Sequence, residues 1–132
     1  MKISDKFHSE DINKLKNTVL TGKTEDIKWR IQQINIVSKL LDENKKEIIK
    51  SLFVDLGKSE IEGLSEILLV KEEISLIKKK LNTWMRPKNI KTPFYLFPSS
   101  SKIIYEPLGC VLILGPYNYP LLYILKPLVN IF

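Results

Sequence analysis

Asn118 is the residue in this sequence best equipped for chemistry. It stands in Tyr117-Asn118-Tyr119-Pro120, directly after Gly115-Pro116, so its carboxamide belongs to a turn and not to the middle of a regular element. A carboxamide N–H fixed at the end of a strand can donate to a carbonyl oxygen that is gaining negative charge, the role of an oxyanion donor. The plainer role is to cap the helix that begins just beyond it, because Asn is a preferred N-cap residue. On these residues alone the cap is favoured.

The other chemically suggestive residues point to structure. Cys110 lies between Gly109 and Val111 with no base or cation beside it to form a thiolate, so a small buried core residue is expected. His8 is the only histidine, which leaves no His-based triad or metal cluster within the chain. Gly22-Lys23-Thr24 and Gly57-Lys58-Ser59 resemble the end of a phosphate loop, but that motif needs another glycine five residues earlier. Asn17 and Leu52 occupy those places, and each triplet follows a helical stretch, so both read as helix-connecting turns. The G-x-G-x-x-G fingerprint is absent too, since Gly109 and Gly115 stand six apart.

The elements that must position Asn118 follow from hydrophobic spacing. Pro107-Leu108-Gly109 signals a turn. Cys110 to Leu114 is an apolar run of five, too short for a helix, and reads as a strand buried on both faces as in a parallel sheet. Gly115-Pro116 breaks it, and a helix follows Pro120. Pro127 predicts either that this helix starts near Ile124 or that it kinks. Upstream, Phe7, Ile12, Leu15 and Val19 predict a helix from Ser4 to about Leu20, closed at Gly22 in a left-handed cap. Thr24 then caps a helix with Ile27, Ile31, Ile34, Val37, Leu40 and Leu41 on one stripe. A third helix runs from near Asp42 or Asn44 to Gly57 and buries Ile48, Ile49, Leu52 and Phe53. The fourth spans about Ser59 to Met85 on Ile61, Leu64, Leu68, Ile74, Ile77, Leu81 and Trp84, and Pro87 closes it. Between Pro93 and Pro98, Phe94 to Phe97 is β-like, and Lys102 to Tyr105 is a second short strand.

Together Tyr105 to Val129, with PYNYP at its centre, resembles the entry into the cofactor-binding domain of the NAD(P)-dependent aldehyde dehydrogenases, most like the class 3 or fatty-aldehyde branch. Thr21 to Thr24, Trp29-Arg30, Asp55 to Ser59 and Leu81 to Trp84 fall in the order typical of that branch. The resemblance implies an α/β fold with an N-terminal helical region and short β bridging strands over 1–105, then the first strand-turn-helix of a Rossmann-like dinucleotide-binding domain over 106–132. It implies oxidation of an aldehyde to a carboxylate with NAD or NADP, by cysteine attack, hydride transfer and thioester hydrolysis. Asn118 matches the oxyanion donor, and Leu114, Gly115, Pro116 and Tyr117 match the strand-end turn at the cofactor. The general-base Glu and nucleophilic Cys are expected beyond Phe132, so the chain reads as an N-terminal portion that is inactive alone. Tyr117 replaces the usual Trp or Phe. Asn130 and Phe132 replace small residues, and the expectations for this end are a frameshift, a truncated frame or a partial sequence. A full-length homodimer is implied, with the β segment as its bridging element.

Composition bounds the alternatives. The 132 residues carry a net charge of +6, almost wholly from lysine. Those lysines alternate with Glu and Asp along helical stretches, so solvated helix faces are expected and not a nucleic-acid partner. The rival reading is a small basic helical protein that binds nucleic acid or an acidic partner through Lys78 to Lys91. The two-sided apolar strand argues against it. No secretory leader is legible in the first sixteen residues. Glycine and proline interrupt the apolar C-terminal stretch before it reaches membrane-spanning length. A single cysteine fits the reducing cytoplasm.

Overall fold

The computed structural model describes residues 9–132. His8 and the expected helical start before residue 9 lie outside the described residues. Four helices come first: α1 (Ser9–Leu20), α2 (Ile27–Glu43), α3 (Lys45–Leu56) and α4 (Glu60–Trp84). A hairpin of β1 (Lys88–Ile90) and β2 (Ser101–Ile103) follows, and α5 (Pro120–Ile131) ends the chain. Among the described residues no helix is long and apolar enough to cross a membrane.

Local chemistry sets the helix ends. Gly22 adopts positive φ after α1, as its place in the turn predicts. The N-cap of α2 is Asp26, not Thr24: its carboxylate accepts the Lys28 amide at 3.0 Å. Gly57 ends α3 in the left-handed region, with φ 67°. Two residues on, Ser59 and Glu62 form a reciprocal capping box that starts α4.

Helix α4 is the axis of the fold, packed against α2, α3 and α5. Its Ile67, Val70, Ile74, Ile77 and Leu81 form one stripe that meets Ile34 and Leu41 of α2 and Val129 of α5. The first half of this stripe differs from the hydropathy reading: Ile61 and Leu68 are exposed, and Gly63 and Glu66 take the inner positions. Gly63 allows α3 to approach, since a Cβ there would lie 3.4 Å from the Ile49 side chain. Glu66 is inside because it is paired. Phe53 and Leu40, also expected inside, are exposed, while Leu52 and Leu41 beside them are buried.

The β segment differs from expectation in register. Lys88 pairs antiparallel with Ile103 and Ile90 with Ser101. Phe94–Leu96, expected to be β-like, is a turn of 3₁₀ helix. The prolines at 93 and 98 keep it from pairing as a strand, and Thr92 hydrogen bonds to Ser101 close the loop. The Cys110 to Leu114 stretch has no ladder partner among the described residues. A strand is defined by its neighbours, and here Val111, Leu112 and Leu114 stay exposed. Helix α5 starts at Pro120, which suits a first-turn position. Pro127 therefore lies inside the helix and not in its first turn.

Candidate functional site

Backbone from Pro107 to Pro116 approaches α5 without regular structure. No backbone hydrogen bond holds it to other described residues. Leu114 and Tyr117 are more than four-fifths exposed. Between them, Gly115 lies against α5: a Cβ built there would be 2.5 Å from Ile124 Cγ1. The Pro116 step leads into a turn at Tyr117 and Asn118, and Tyr119 is the N-cap of α5.

Asn118 is exposed, and its carboxamide makes no hydrogen bond with the described residues. Tyr119 contributes no side-chain cap, and Asn118 does not supply one either. The cap comes from another helix. Glu66 Oε2 of α4 accepts the backbone N–H of Leu122 at 3.1 Å. Negative charge there complements the positive end of the α5 dipole as well as its unpaired amide.

Glu66 is fully buried, and its second oxygen, Oε1, accepts from Lys58 Nζ. The Lys58 side chain is itself only 10% exposed. Its ammonium lies 3.7 Å from the centroid of the Tyr119 ring, within cation–π range. Tyr119 packs edge-on against Tyr123, with ring centroids 5.9 Å apart. A chain of contacts thus runs from the buried Lys58–Glu66 pair to the half-exposed residues immediately after Asn118.

A second clamp ties the far end of α5 to α4. Asn130 Nδ2 donates to Glu73 Oε1 at 3.0 Å, and Lys126 Nζ lies 3.0 Å from Glu73 Oε2. The Asn130 hydrogen bond, then the one from Lys126, holds the Glu73 carboxyl below the usual glutamate range. Phe132 meets Trp29 edge-on at 6.3 Å between centroids. The two residues that break the expected small-residue pattern therefore both make contacts.

The expected cofactor residues Leu114, Gly115, Pro116 and Tyr117 form one continuous exposed edge leading to Asn118. Cys110 differs from its expected role: the thiol is exposed, because the strand that would cover it has no neighbours here. No cluster of potential metal ligands occurs among the described residues. Lys58 and Glu66 escaped sequence reading. Lys58 stands out in the sequence only through the Gly57-Lys58-Ser59 triplet and the Asp55 to Ser59 match, neither of which points to a buried ion pair. Glu66, as a carboxylate, does not count toward an apolar stripe. The available signal was positional: Glu66 lies one turn from Gly63 and one turn from Val70, on the inner face.

Comparison with known proteins gives the context for this turn. The sequence model described as "Aldehyde dehydrogenase family" matches residues 16–131, most of the chain. The chain belongs to the aldehyde dehydrogenase family. Aldehyde dehydrogenase family 3 member I1, chloroplastic, of Arabidopsis thaliana is 37% identical over 120 residues, 90% of this chain and 22% of the relative. The 4,4'-diaponeurosporen-aldehyde dehydrogenase of Staphylococcus aureus is 39% identical over 111 residues, 83% of this chain and 24% of the relative. A solved structure titled "Substrate bound state of Staphylococcus Aureus AldH" superposes with a TM-score of 0.88 at 35% identity, over 92% of this chain and 27% of that one. The chain spans about a quarter of the length of these aldehyde dehydrogenases. The fold is thus that of a family 3-like N-terminal part, helix-rich with a two-stranded sheet.

Proposed function

We propose that this chain supplies the oxyanion donor and one wall of the cofactor site of an enzyme that oxidises an aldehyde to a carboxylate with NAD or NADP. The observation that carries the reading is the state of Asn118: exposed, without a hydrogen bond to any described residue, and seated at the start of a helix fixed from the core. An N-cap would hold the side chain against the α5 amides through its carboxamide oxygen, and no such contact ties Asn118 to the helix among the described residues.

The residues present fit a dinucleotide at Leu114-Gly115-Pro116-Tyr117. That backbone is exposed and unpaired, and Gly115 presents no side chain on a strip that α5 closes from behind. NAD or NADP, when bound, accepts the hydride that leaves the aldehyde carbon. Asn118 acts at the carbonyl oxygen, where its Nδ2–H donates as a cysteine thiolate adds and charge develops. The nucleophilic Cys and the general-base Glu come from the remainder of the enzyme, and the 132-residue chain alone is inactive. Exposed Cys110 lies outside this role, since no neighbouring base activates it.

On this reading, 1–105 is the helical and bridging region and 106–132 opens the cofactor domain. Phe94, Tyr95 and Phe97 at the exposed hairpin tip suit a homodimer contact. The enzyme works in the cytoplasm, without a nucleic-acid partner. The test joins this chain to the remainder of the Staphylococcus aureus relative in place of that enzyme's own matching part. Formation of NADH or NADPH from an aliphatic aldehyde is expected. A soluble, folded chimera that binds NAD and oxidises no aldehyde would overturn the reading.

A further inference from the structure

We infer that Glu66, charged and held by Lys58, is the positioning residue for Asn118. The inference rests on the reading of Asn118 as oxyanion donor and adds the device that aims it. Glu66 accepts the Leu122 amide in the first turn of α5, and Lys58 meets both the Glu66 carboxylate and the face of Tyr119. Asn118 directly precedes Tyr119, so these contacts fix the helix start from which its carboxamide projects. Gly115, four residues before Tyr119, is pressed on Ile124 of the same helix. The turn is thereby gripped at both ends while Asn118 itself stays free.

Stability alone is a weak reason for such a pair. Burying a lysine and a glutamate costs desolvation that their attraction offsets only in good geometry, and apolar residues of similar volume often serve as well or better. What an apolar pair cannot do is accept a particular amide. Both carboxylate oxygens of Glu66 are engaged, one by the cation and one by the helix start, so its position is over-determined. An oxyanion donor needs that fixity, because displacement by about 1 Å costs as much as 10²-fold in rate.

The test uses the chimeric full-length enzyme and reads single-turnover hydride transfer with NAD saturating. Four proteins form a cycle: parent, Glu66→Gln, Asn118→Ala and the double variant. Glu66→Gln is expected to slow hydride transfer roughly ten- to a hundredfold, with KM for NAD little changed. In the Asn118→Ala background the same substitution should have almost no further effect, because there is no donor left to aim. Lys58→Arg, which keeps the charge beside Glu66, should retain most of the rate. If Glu66→Gln slows both backgrounds equally, its role is general packing and the inference fails. It fails also if Glu66→Gln leaves the parent rate unchanged. Should Glu66→Gln prove insoluble, Lys58→Met/Glu66→Leu removes both charges together: a folded, slowed enzyme supports the inference, and a folded enzyme at full rate overturns it. If Asn118→Ala alone has no effect on hydride transfer, the oxyanion reading fails on that measurement, and this inference goes with it.

Discussion

Gly115 and Ile124 touch so closely that no other residue fits at position 115 without movement: an added Cβ would lie 2.5 Å from Ile124 Cγ1 and 3.2 Å from its Cδ1. The contact joins the exposed edge of the site to the first half of α5. Gly115→Ala should therefore push the turn off the helix or force Ile124 into another rotamer, costing about 1–3 kcal/mol as overpacking. Because Ile124 is partly exposed and can swing outward, the lower end is expected. In the chimeric full-length enzyme, adding Ile124→Ala should restore most of the melting temperature and of the aldehyde-oxidation rate. A double-mutant cycle that proves additive would mean the two residues do not share this contact.

Gly57 predicts a different pattern, since nothing lies within 4 Å of its Cβ position and only its φ of 67° demands glycine. Gly57→Ala should cost about 1 kcal/mol from left-handed backbone strain. Gly57→Asn should cost less, as Asn tolerates that region. Thermal melts of the two variants check the order. Equal losses would point to a packing role for the position.

Stability should depend on pH through Glu73. Hydrogen bonds from Asn130 and then Lys126 lower its carboxyl pKa in the folded state. The carboxylate is therefore favoured by folding, so its contribution is fully present above the unfolded-state value, about 4.3 for glutamate. It is lost as pH falls through the lower folded value. Glu73→Gln should melt below the parent at neutral pH, and the gap should close on acidification through this window. A gap that stays constant from neutral to acid pH would rule out the charged form of Glu73 as the source. Asn130→Ala should narrow the same window from below by raising the Glu73 pKa toward its ordinary value.

Helices α1 to α4 were legible because their ends are chemically marked and their inner faces are mostly apolar. Gly57, Ser59 and Pro87 delimit the end of α3 and the span of α4 within a few residues of those found, and the structure adds the Ser59–Glu62 capping box that fixes the start of α4. The inner face of early α4 was not legible, because Gly63 and Glu66 are buried for reasons hydropathy does not count: close approach and an ion pair. The hairpin was misread because four consecutive aromatic and aliphatic residues, Phe94 to Phe97, have strand propensity, whereas the flanking prolines decide the turn. Cys110 to Leu114 has strand composition, yet no neighbouring strand among the described residues lets it pair. Asn118 was legible as a turn residue, but its freedom from capping needed the structure, because the actual cap lies 56 positions away in sequence from Leu122.

Asn118→Ala separates the two roles this residue can have. The side chain is exposed and makes no hydrogen bond with the described residues, and Tyr119 is the N-cap. Its truncation should leave the melting temperature nearly unchanged, within about 0.5 kcal/mol as for other surface positions. An oxyanion donor acts chiefly on charge that forms at the transition state, so its loss should lower kcat by roughly 10²–10³ where acylation or hydride transfer limits turnover. NAD affinity should change little, because on the proposed reading the cofactor meets mainly backbone at Leu114 to Tyr117 and not the Asn118 side chain. Asn118→Asp sharpens the contrast. It keeps the size, removes the N–H donor and sets a negative charge beside the developing one, so it should be at least as slow as alanine. Asp is also a good N-cap, so a capping role predicts that Asp preserves both stability and rate, while Ala loses about 1 kcal/mol. Single-turnover hydride transfer and melts on the same three proteins decide the matter. A full-speed Asn118→Asp enzyme would exclude the oxyanion role, since a carboxylate cannot replace the hydrogen bond that the amide donates.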